Sequence, residues 1–142
     1  MYYLKTSASF DSAHFLSGYD GKCANIHGHR WVVEVRIKGE SLQQSGVQRG
    51  MLVDFGDLKR EVRRLADSLD HSLIYEKNSL RPSTVVALRE ENFNLIEVDF
   101  RPTAENFARD FYIKLSSSGF EIADVTVYET PDNCAVYEEA EK

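Results

Sequence analysis

The fold is decided by the stretch His27-Gly28-His29-Arg30-Trp31-Val32-Val33-Glu34-Val35-Arg36-Ile37-Lys38. From Trp31 onward every second residue is apolar, and charged residues occupy most of the positions between, which is typical of a strand with one buried face. His27 and His29 fall on the apolar side of this alternation, because side chains two residues apart in a strand point the same way. The stretch therefore predicts a strand that brings two imidazoles together at its start.

A third histidine belongs with this pair. The segment Tyr2–His14 predicts a strand whose buried face includes Phe10 and His14, and a short loop returns the chain to His27. Three imidazoles on neighbouring strands can converge on one metal ion, and neutral imidazole suits zinc, with copper, iron and nickel as alternatives. The competing interpretation is a set of histidines that are hydrogen-bonded or partly exposed and hold no metal.

Cys23 precedes His27 by a short turn and leaves two interpretations open. As a fourth ligand it would close the site, which is the structural zinc pattern, whereas three protein ligands and an open position form the catalytic pattern. Beside the open position, its thiol would instead be a general base, because a nearby metal or imidazolium lowers a thiol pKa from about 8.5. We expect Cys134, the other cysteine, to be a small buried hydrophobic residue, and no disulfide is needed at this size.

Two further sets of residues are candidates for proton transfer and for ligand binding. Asp70 could orient His71 for proton transfer, although a polar helix end with a histidine at the negative end of the dipole explains the same residues. Glu129 continues the inward row of Val125 and Val127, and a carboxylate there suits a ligand with two adjacent N–H groups, unless the strand has ended and Glu129 faces water.

The remaining pattern predicts an α+β fold of order β-β-β-α-β-α-β, an antiparallel sheet with two helices on one face. Thr103 is predicted to cap the start of the second helix, and the negative charge of Glu105 is favourable in its first turn. Exposed sheet edges favour self-association. The other predicted elements are a strand at Met51–Phe55 returning from a turn at 45–50, a helix opening at Asp54 or Gly56, a short helix at 84–91, and strands at Asn94–Phe100, Ala123–Thr130 and Ala135–Tyr137.

Size and charge limit the function. The 142 residues, 42% of them hydrophobic, predict a single domain over 1–142. A net charge of −6 excludes a general basic surface for nucleic acid, so an anionic ligand needs a local patch, for which Lys5, Lys22 and Arg30 are candidates. Neither a signal peptide nor a membrane-spanning run is visible, and a cytoplasmic location is expected by default.

Taken in order, five motifs resemble the 6-pyruvoyltetrahydropterin synthase / 6-carboxytetrahydropterin synthase family over nearly the whole chain. The spacing between Cys23 and the His-Gly-His pair is similar to that of the bacterial 6-carboxytetrahydropterin synthases of queuosine biosynthesis. The motifs are Phe10-Asp11-Ser12-Ala13-His14, Cys23 with His27-Gly28-His29, Leu69-Asp70-His71, Pro102-Thr103-Ala104-Glu105-Asn106 and Val127-Tyr128-Glu129-Thr130.

The resemblance implies a tunnelling fold, in which sheets of several subunits join into a barrel, commonly a homohexamer of two trimers. It implies conversion of 7,8-dihydroneopterin triphosphate to 6-carboxytetrahydropterin, acetaldehyde and triphosphate. It also implies zinc on the three histidines, Cys23 as general base, and Asp70 with His71 as a second acid–base pair. Glu129 would anchor the pterin, with Thr103 and Glu105 at its edge.

Two other functions remain open at this stage. A pyruvoyl-type synthase would eliminate triphosphate without losing two carbons. A non-catalytic zinc module would use the metal for folding or assembly, and would lose both metal and fold when Cys23 is replaced.

Overall fold

A computed structural model describes residues 1–141, which form a six-stranded mixed sheet and three α-helices. The strand order is β4-β3-β1-β2-β5-β6. The strands are β1 (Tyr2–His14), β2 (His27–Gly39), β3 (Ser72–Glu76), β4 (Leu95–Val98), β5 (Ile122–Thr130) and β6 (Asn133–Tyr137); the helices are α1 (Phe55–Leu69), α2 (Pro82–Glu90) and α3 (Ala104–Ser116).

A long antiparallel hairpin of β1 and β2 is the centre of the sheet. Its register runs from Tyr2 opposite Gly39 to His14 opposite His27, so both strands are paired along their full length. β5 adds antiparallel to the other edge of β2, and β6 follows it antiparallel. The predicted first two strands are confirmed, and their register places His14 directly across from His27.

The purely antiparallel sheet predicted from the sequence is wrong. β3 lies parallel to the end of β1, and β4 lies parallel to β3. β3 was not predicted, because Leu73-Ile74-Tyr75 is a short apolar run without alternation, which is typical of a parallel strand covered on both faces. Such a run cannot be separated from a helix end by periodicity alone.

The predicted strand at Met51–Phe55 is also wrong. The turn before it exists, since Gly50 N donates to the Gln43 carbonyl at 2.8 Å, but the chain beyond it is irregular and enters α1 at Phe55. A returning strand would need an open edge of β2, and both edges are already occupied by β1 and β5. The segment instead closes over the sheet end, where Leu52 packs against Gly39.

The predicted pair of helices on one face corresponds to α1 and α3, and the short helix predicted at 84–91 is confirmed as α2. α1 and α3 bury their apolar stripes against β1, β2 and β5 around Trp31, Phe107 and Phe111. Each begins with a side-chain cap: Asp54 accepts from Gly56 N, and Thr103 accepts from Asn106 N. α2 buries no residue and lies apart from this core. None of the helices within residues 1–141 has the length and hydropathy that a membrane crossing requires.

Candidate active site

The hairpin end brings His14, His27 and His29 together. One ring nitrogen of each lies within 4.8 Å of the others, and the ring centroids are 4.5 to 5.2 Å apart. His14 is buried, while the other two are partly exposed. The three rings thus form one cluster of donors, open to solvent on the side of β2.

Backbone carbonyls orient two of these rings. His14 Nδ1 lies 2.7 Å from the Pro102 carbonyl oxygen, and His27 Nδ1 lies 2.7 Å from the Asn25 carbonyl oxygen. A carbonyl can only accept, so each Nδ1 carries the proton and donates, leaving Nε2 with a free lone pair. This arrangement, in which an outer partner selects the tautomer, is usual for histidines that bind metals.

Two of the Nε2 atoms are buried without a hydrogen-bond partner, those of His14 and His29. An unsatisfied buried polar atom costs about 1 to 3 kcal/mol, so its presence calls for an explanation. A metal bound to the lone pairs supplies one. The donor set therefore fits a divalent metal of the kind that imidazole binds.

The protonation state favours the same role. Burial is the largest influence on His14 and His29 and lowers the pKa of both below the usual value for histidine. Neighbouring imidazoles lower the two pKa values further, while Glu129 opposes the change. Both rings are therefore neutral at pH 7, the form that ligates a metal.

Trp31 lies beneath the cluster and was not predicted to take part in it. Its ring is fully buried and meets His14 edge-on at 4.9 Å and His29 at 5.4 Å between ring centroids. Phe107 of α3 packs against the same indole at 4.9 Å. The alternation of β2 could have identified this support, because Trp31 shares the face of the two histidines.

The Cys23 thiol is free and half-buried in a short 3-10 helix, Lys22–Ala24. Its sulfur is not one of the donors that cluster within 4.8 Å, although cysteine is a possible ligand type. The donor cluster thus contains three protein ligands, which is the number seen in catalytic zinc sites.

Glu129 approaches the cluster from β5. Its carboxylate oxygen Oε1 lies 3.6 Å from His29 Nε2, which is too long for a hydrogen bond. Its side chain is 33% exposed, so the carboxylate is accessible to a ligand while remaining beside the histidines. The alternative in which the strand has ended before Glu129 is wrong, because β5 extends to Thr130.

Asp70 and His71 form a hydrogen-bonded pair attached to β1. Asp70 accepts from His71 Nδ1 at 2.7 Å and from the Asp11 backbone N–H at 2.8 Å. The Asp11 N–H lowers the pKa of Asp70 more than any other contact, and the bond from Asp70 raises the pKa of His71. His71 also takes a left-handed backbone (φ 53°), which is costly outside glycine and is held by its N–H donating to the Asp11 carbonyl.

The pair does not contact the histidine cluster within this chain. The His71 side chain is 81% exposed and opens toward solvent. His29 and His71 nevertheless line one cavity of about 770 Å³. Its walls also include apolar residues of the sheet end and of the segment around α2, among them Leu73, Leu88 and Phe93.

Comparison with known proteins agrees with this geometry. The profile of the family described as 6-pyruvoyl tetrahydropterin synthase matches residues 3–140. The chain belongs to this family. Among its relatives is a 6-carboxy-5,6,7,8-tetrahydropterin synthase of Haemophilus influenzae, 37% identical over 98% of this chain and 100% of that protein. A 6-carboxy-5,6,7,8-tetrahydropterin synthase of Aquifex aeolicus is 31% identical over 83% of this chain and 76% of its own length.

Solved structures share the fold of this chain. A 6-pyruvoyl tetrahydropterin synthase of Caenorhabditis elegans matches with a TM-score of 0.67 and 28% identity, over 98% of this chain and 96% of that one. An uncharacterized protein of Wolinella succinogenes matches with a TM-score of 0.77 over 98% of each chain, and its 20% identity supports the fold alone. The α+β class expected for the family is confirmed.

The other predicted family positions have simple structural roles in one chain. Thr103 caps α3 and Glu105 is exposed in its first turn, as expected from the sequence. Cys134 is exposed on β6, so its predicted burial is wrong, because β6 is the outermost strand. The sequence did not predict that the carbonyls of Pro102 and Asn25 orient the histidines, because every residue type has a backbone carbonyl.

Proposed function

We propose that this protein is a zinc-dependent 6-carboxy-5,6,7,8-tetrahydropterin synthase of queuosine biosynthesis. It would convert 7,8-dihydroneopterin triphosphate to 6-carboxytetrahydropterin, acetaldehyde and triphosphate. The observation that carries the proposal is the cluster of His14, His27 and His29, with two unpartnered Nε2 atoms, in a chain of this family. The nearly full-length relative of Haemophilus influenzae supports the choice of product.

The three histidines would hold zinc through Nε2, which would polarise the side-chain oxygens of the substrate and stabilise enolate-like charge. Glu129 would accept two adjacent N–H groups of the pterin ring, since a carboxylate can accept both at once. Thr103 and Glu105 would assist at the pterin edge. The substrate would then be fixed with its side chain toward the histidines.

Proton transfer requires groups at two positions along that side chain. Cys23 would remove a proton as thiolate, and Asp70 would keep His71 protonated so that it can return one. The His71 side chain is 81% exposed and lies outside the histidine cluster of its own chain. We therefore propose that neighbouring subunits complete each site, in a barrel-forming homohexamer of two trimers in the cytoplasm, each subunit a single domain over 1–142.

Product analysis tests the reaction. Purified protein with measured metal content is incubated with 7,8-dihydroneopterin triphosphate, and the products are identified by mass. The expected products are 6-carboxytetrahydropterin and acetaldehyde. The similarity to the Caenorhabditis elegans 6-pyruvoyl enzyme makes triphosphate elimination the alternative, and a pyruvoyl product without acetaldehyde would establish it.

Cys23→Ala separates catalysis from a structural zinc role. Because the Cys23 sulfur lies outside the donor cluster, the variant should fold, retain zinc and lose nearly all activity. Cys134→Ala is the matched control, since it removes the other free thiol, which is exposed, and it should remain fully active. Loss of both metal and fold in Cys23→Ala would favour the non-catalytic module instead.

A further inference from the structure

The β1–β2 loop, residues 15–26, carries Cys23 between the first two strands. Its outer part, residues 17–22, is exposed throughout. Within the loop, Leu16 N donates to the Cys23 carbonyl at 2.9 Å, which keeps Cys23 close to the hairpin end where the three histidines lie. Among the described residues, no member of the loop forms an ion pair. The loop therefore has few contacts that could fix the position of the thiol.

Arg101 reaches this loop from the segment that precedes α3. Its Nη2 donates to the Ser17 carbonyl at 2.7 Å. Its guanidinium carbon lies 5.8 Å from the centroid of the Tyr19 ring, within the range of a cation–π interaction. In the part of the chain that the structure describes, the bond to Ser17 is the one hydrogen bond that the loop receives from outside the β1–β2 hairpin.

The Tyr19 ring connects the Arg101 guanidinium to the backbone beside Cys23. A Cβ atom at Gly21 would lie 2.8 Å from Tyr19 Cε1, so the ring packs directly against the Gly21 backbone. Gly21 immediately precedes the short 3-10 helix that contains Cys23. Guanidinium, ring and glycine backbone thus form a continuous series of contacts that ends at the turn of the thiol.

The backbone of Arg101 is itself fixed. Its carbonyl accepts from Thr103 N at 2.8 Å and from Asn106 Nδ2 at 2.9 Å. The next residue, Pro102, is buried, and its carbonyl accepts from His14 Nδ1 at 2.7 Å. This segment therefore contacts the histidine cluster through its backbone and the β1–β2 loop through the Arg101 side chain.

We propose that Arg101 is a positioning residue, which holds the β1–β2 loop so that the Cys23 thiol stays beside the three histidines. The inference rests on the proposed function, in which Cys23 removes a proton from the substrate. Arginine suits this role because its planar guanidinium can donate to a carbonyl and lie against an aromatic ring at the same time. Among the described residues no carboxylate competes for it, since Arg101 forms no ion pair.

Arg101→Gln and Arg109→Gln test the proposal as a matched pair. Both remove one positive charge, but Arg109 is exposed on α3 and makes no hydrogen bond to the loop. Hydrogen exchange of the zinc-loaded proteins, read by mass spectrometry, measures opening of the loop. A hydrogen bond and a cation–π contact at a half-exposed site shift an opening equilibrium by on the order of tenfold. Loop amides should exchange faster by this factor in Arg101→Gln and at the wild-type rate in Arg109→Gln, with peptides of the sheet and of α3 unchanged in both.

Turnover distinguishes positioning from contact with the substrate. In Arg101→Gln, kcat should fall by up to about tenfold, because only molecules with the loop held are active. KM and zinc content should stay unchanged, since Glu129 and the histidines lie outside the loop. Arg101→Lys should recover part of kcat, because lysine can still donate to a carbonyl. A raised KM at unchanged kcat, or faster exchange throughout the protein, would overturn the proposal.

Tyr19→Ser tests whether the ring and the guanidinium act together. This variant should open the loop and lower kcat, whereas Tyr19→Phe, which keeps the ring, should behave like wild type. In the double variant with Arg101→Gln, the second substitution should have a smaller effect than it has alone, because the cation–π contact is already lost. Fully additive effects would overturn the proposed series of contacts.

The two proposals can fail separately. Selective opening of the loop in Arg101→Gln, in a protein that turns over no pterin substrate, would remove the proposed function and leave Arg101 as the residue that holds the loop. Normal turnover of the wild type, with unchanged loop exchange and kcat in Arg101→Gln, would remove the positioning role and leave the function.

Discussion

Metal removal should destabilise this protein by an amount that follows from its buried histidines. Without metal, the Nε2 atoms of His14 and His29 have no hydrogen-bond partner. Each unsatisfied atom costs about 1 to 3 kcal/mol, so the metal-free protein should lose about 2 to 6 kcal/mol of unfolding free energy. A free metal concentration about a thousandfold above Kd adds roughly 4 kcal/mol to the unfolding free energy by mass action, which lies in this range.

The assay is thermal unfolding of chelated and zinc-loaded protein at one protein concentration. For a chain of this size, about 1 kcal/mol changes Tm by roughly 3 to 4 °C, so chelation should lower Tm by about 6 to 24 °C. His27→Ala should unfold near the temperature of the chelated protein and should not respond to zinc. His71→Gln is the control, because this exposed residue lies outside the donor cluster, and it should respond like wild type.

Equal melting temperatures for the chelated and loaded wild type would refute the assignment of the unpartnered nitrogens to a metal. A zinc response that survives in His27→Ala would show that the stabilising ion binds elsewhere. Loss of the response in His71→Gln would place that residue among the ligands and contradict the described cluster.

Two further predictions concern the groups around the metal. Asp70→Asn should lower the pKa of His71, because the charged hydrogen bond that raises it is lost; NMR titration of the His71 ring in wild type and variant measures the change. The stabilisation of the fold by this pair is present at acidic pH and is lost as pH rises through the raised His71 pKa. The Asp70→Asn variant should therefore lack this pH dependence of stability. An unchanged His71 titration in the variant would contradict the assigned cause. Glu129→Gln should keep zinc and weaken dihydropterin binding about tenfold to a hundredfold, since one charged hydrogen-bond acceptor is lost; equilibrium binding with metal analysis tests this, and unchanged affinity would eliminate Glu129 as the anchor.

Much of the candidate site was predictable because strand periodicity is local. Alternation in β2 placed His27, His29 and Trp31 on one face, and the hairpin register then brought His14 opposite His27. The caps of α1 and α3 were equally local, since Asp54 and Thr103 act on residues two or three positions away. In each case the deciding interaction lies within one element or between sequential strands.

What the sequence by itself determined is the antiparallel hairpin, the three clustered histidines and the apolar faces of α1 and α3. Only the tertiary structure decided that β3 and β4 add in parallel and that the segment after Gly50 finds no edge to pair with. It also decided which carbonyls orient the histidines, and that Arg101 reaches the loop that carries Cys23. The physical reason is range: side-chain direction follows from local backbone geometry, whereas edge occupancy and these contacts depend on residues far apart in the chain.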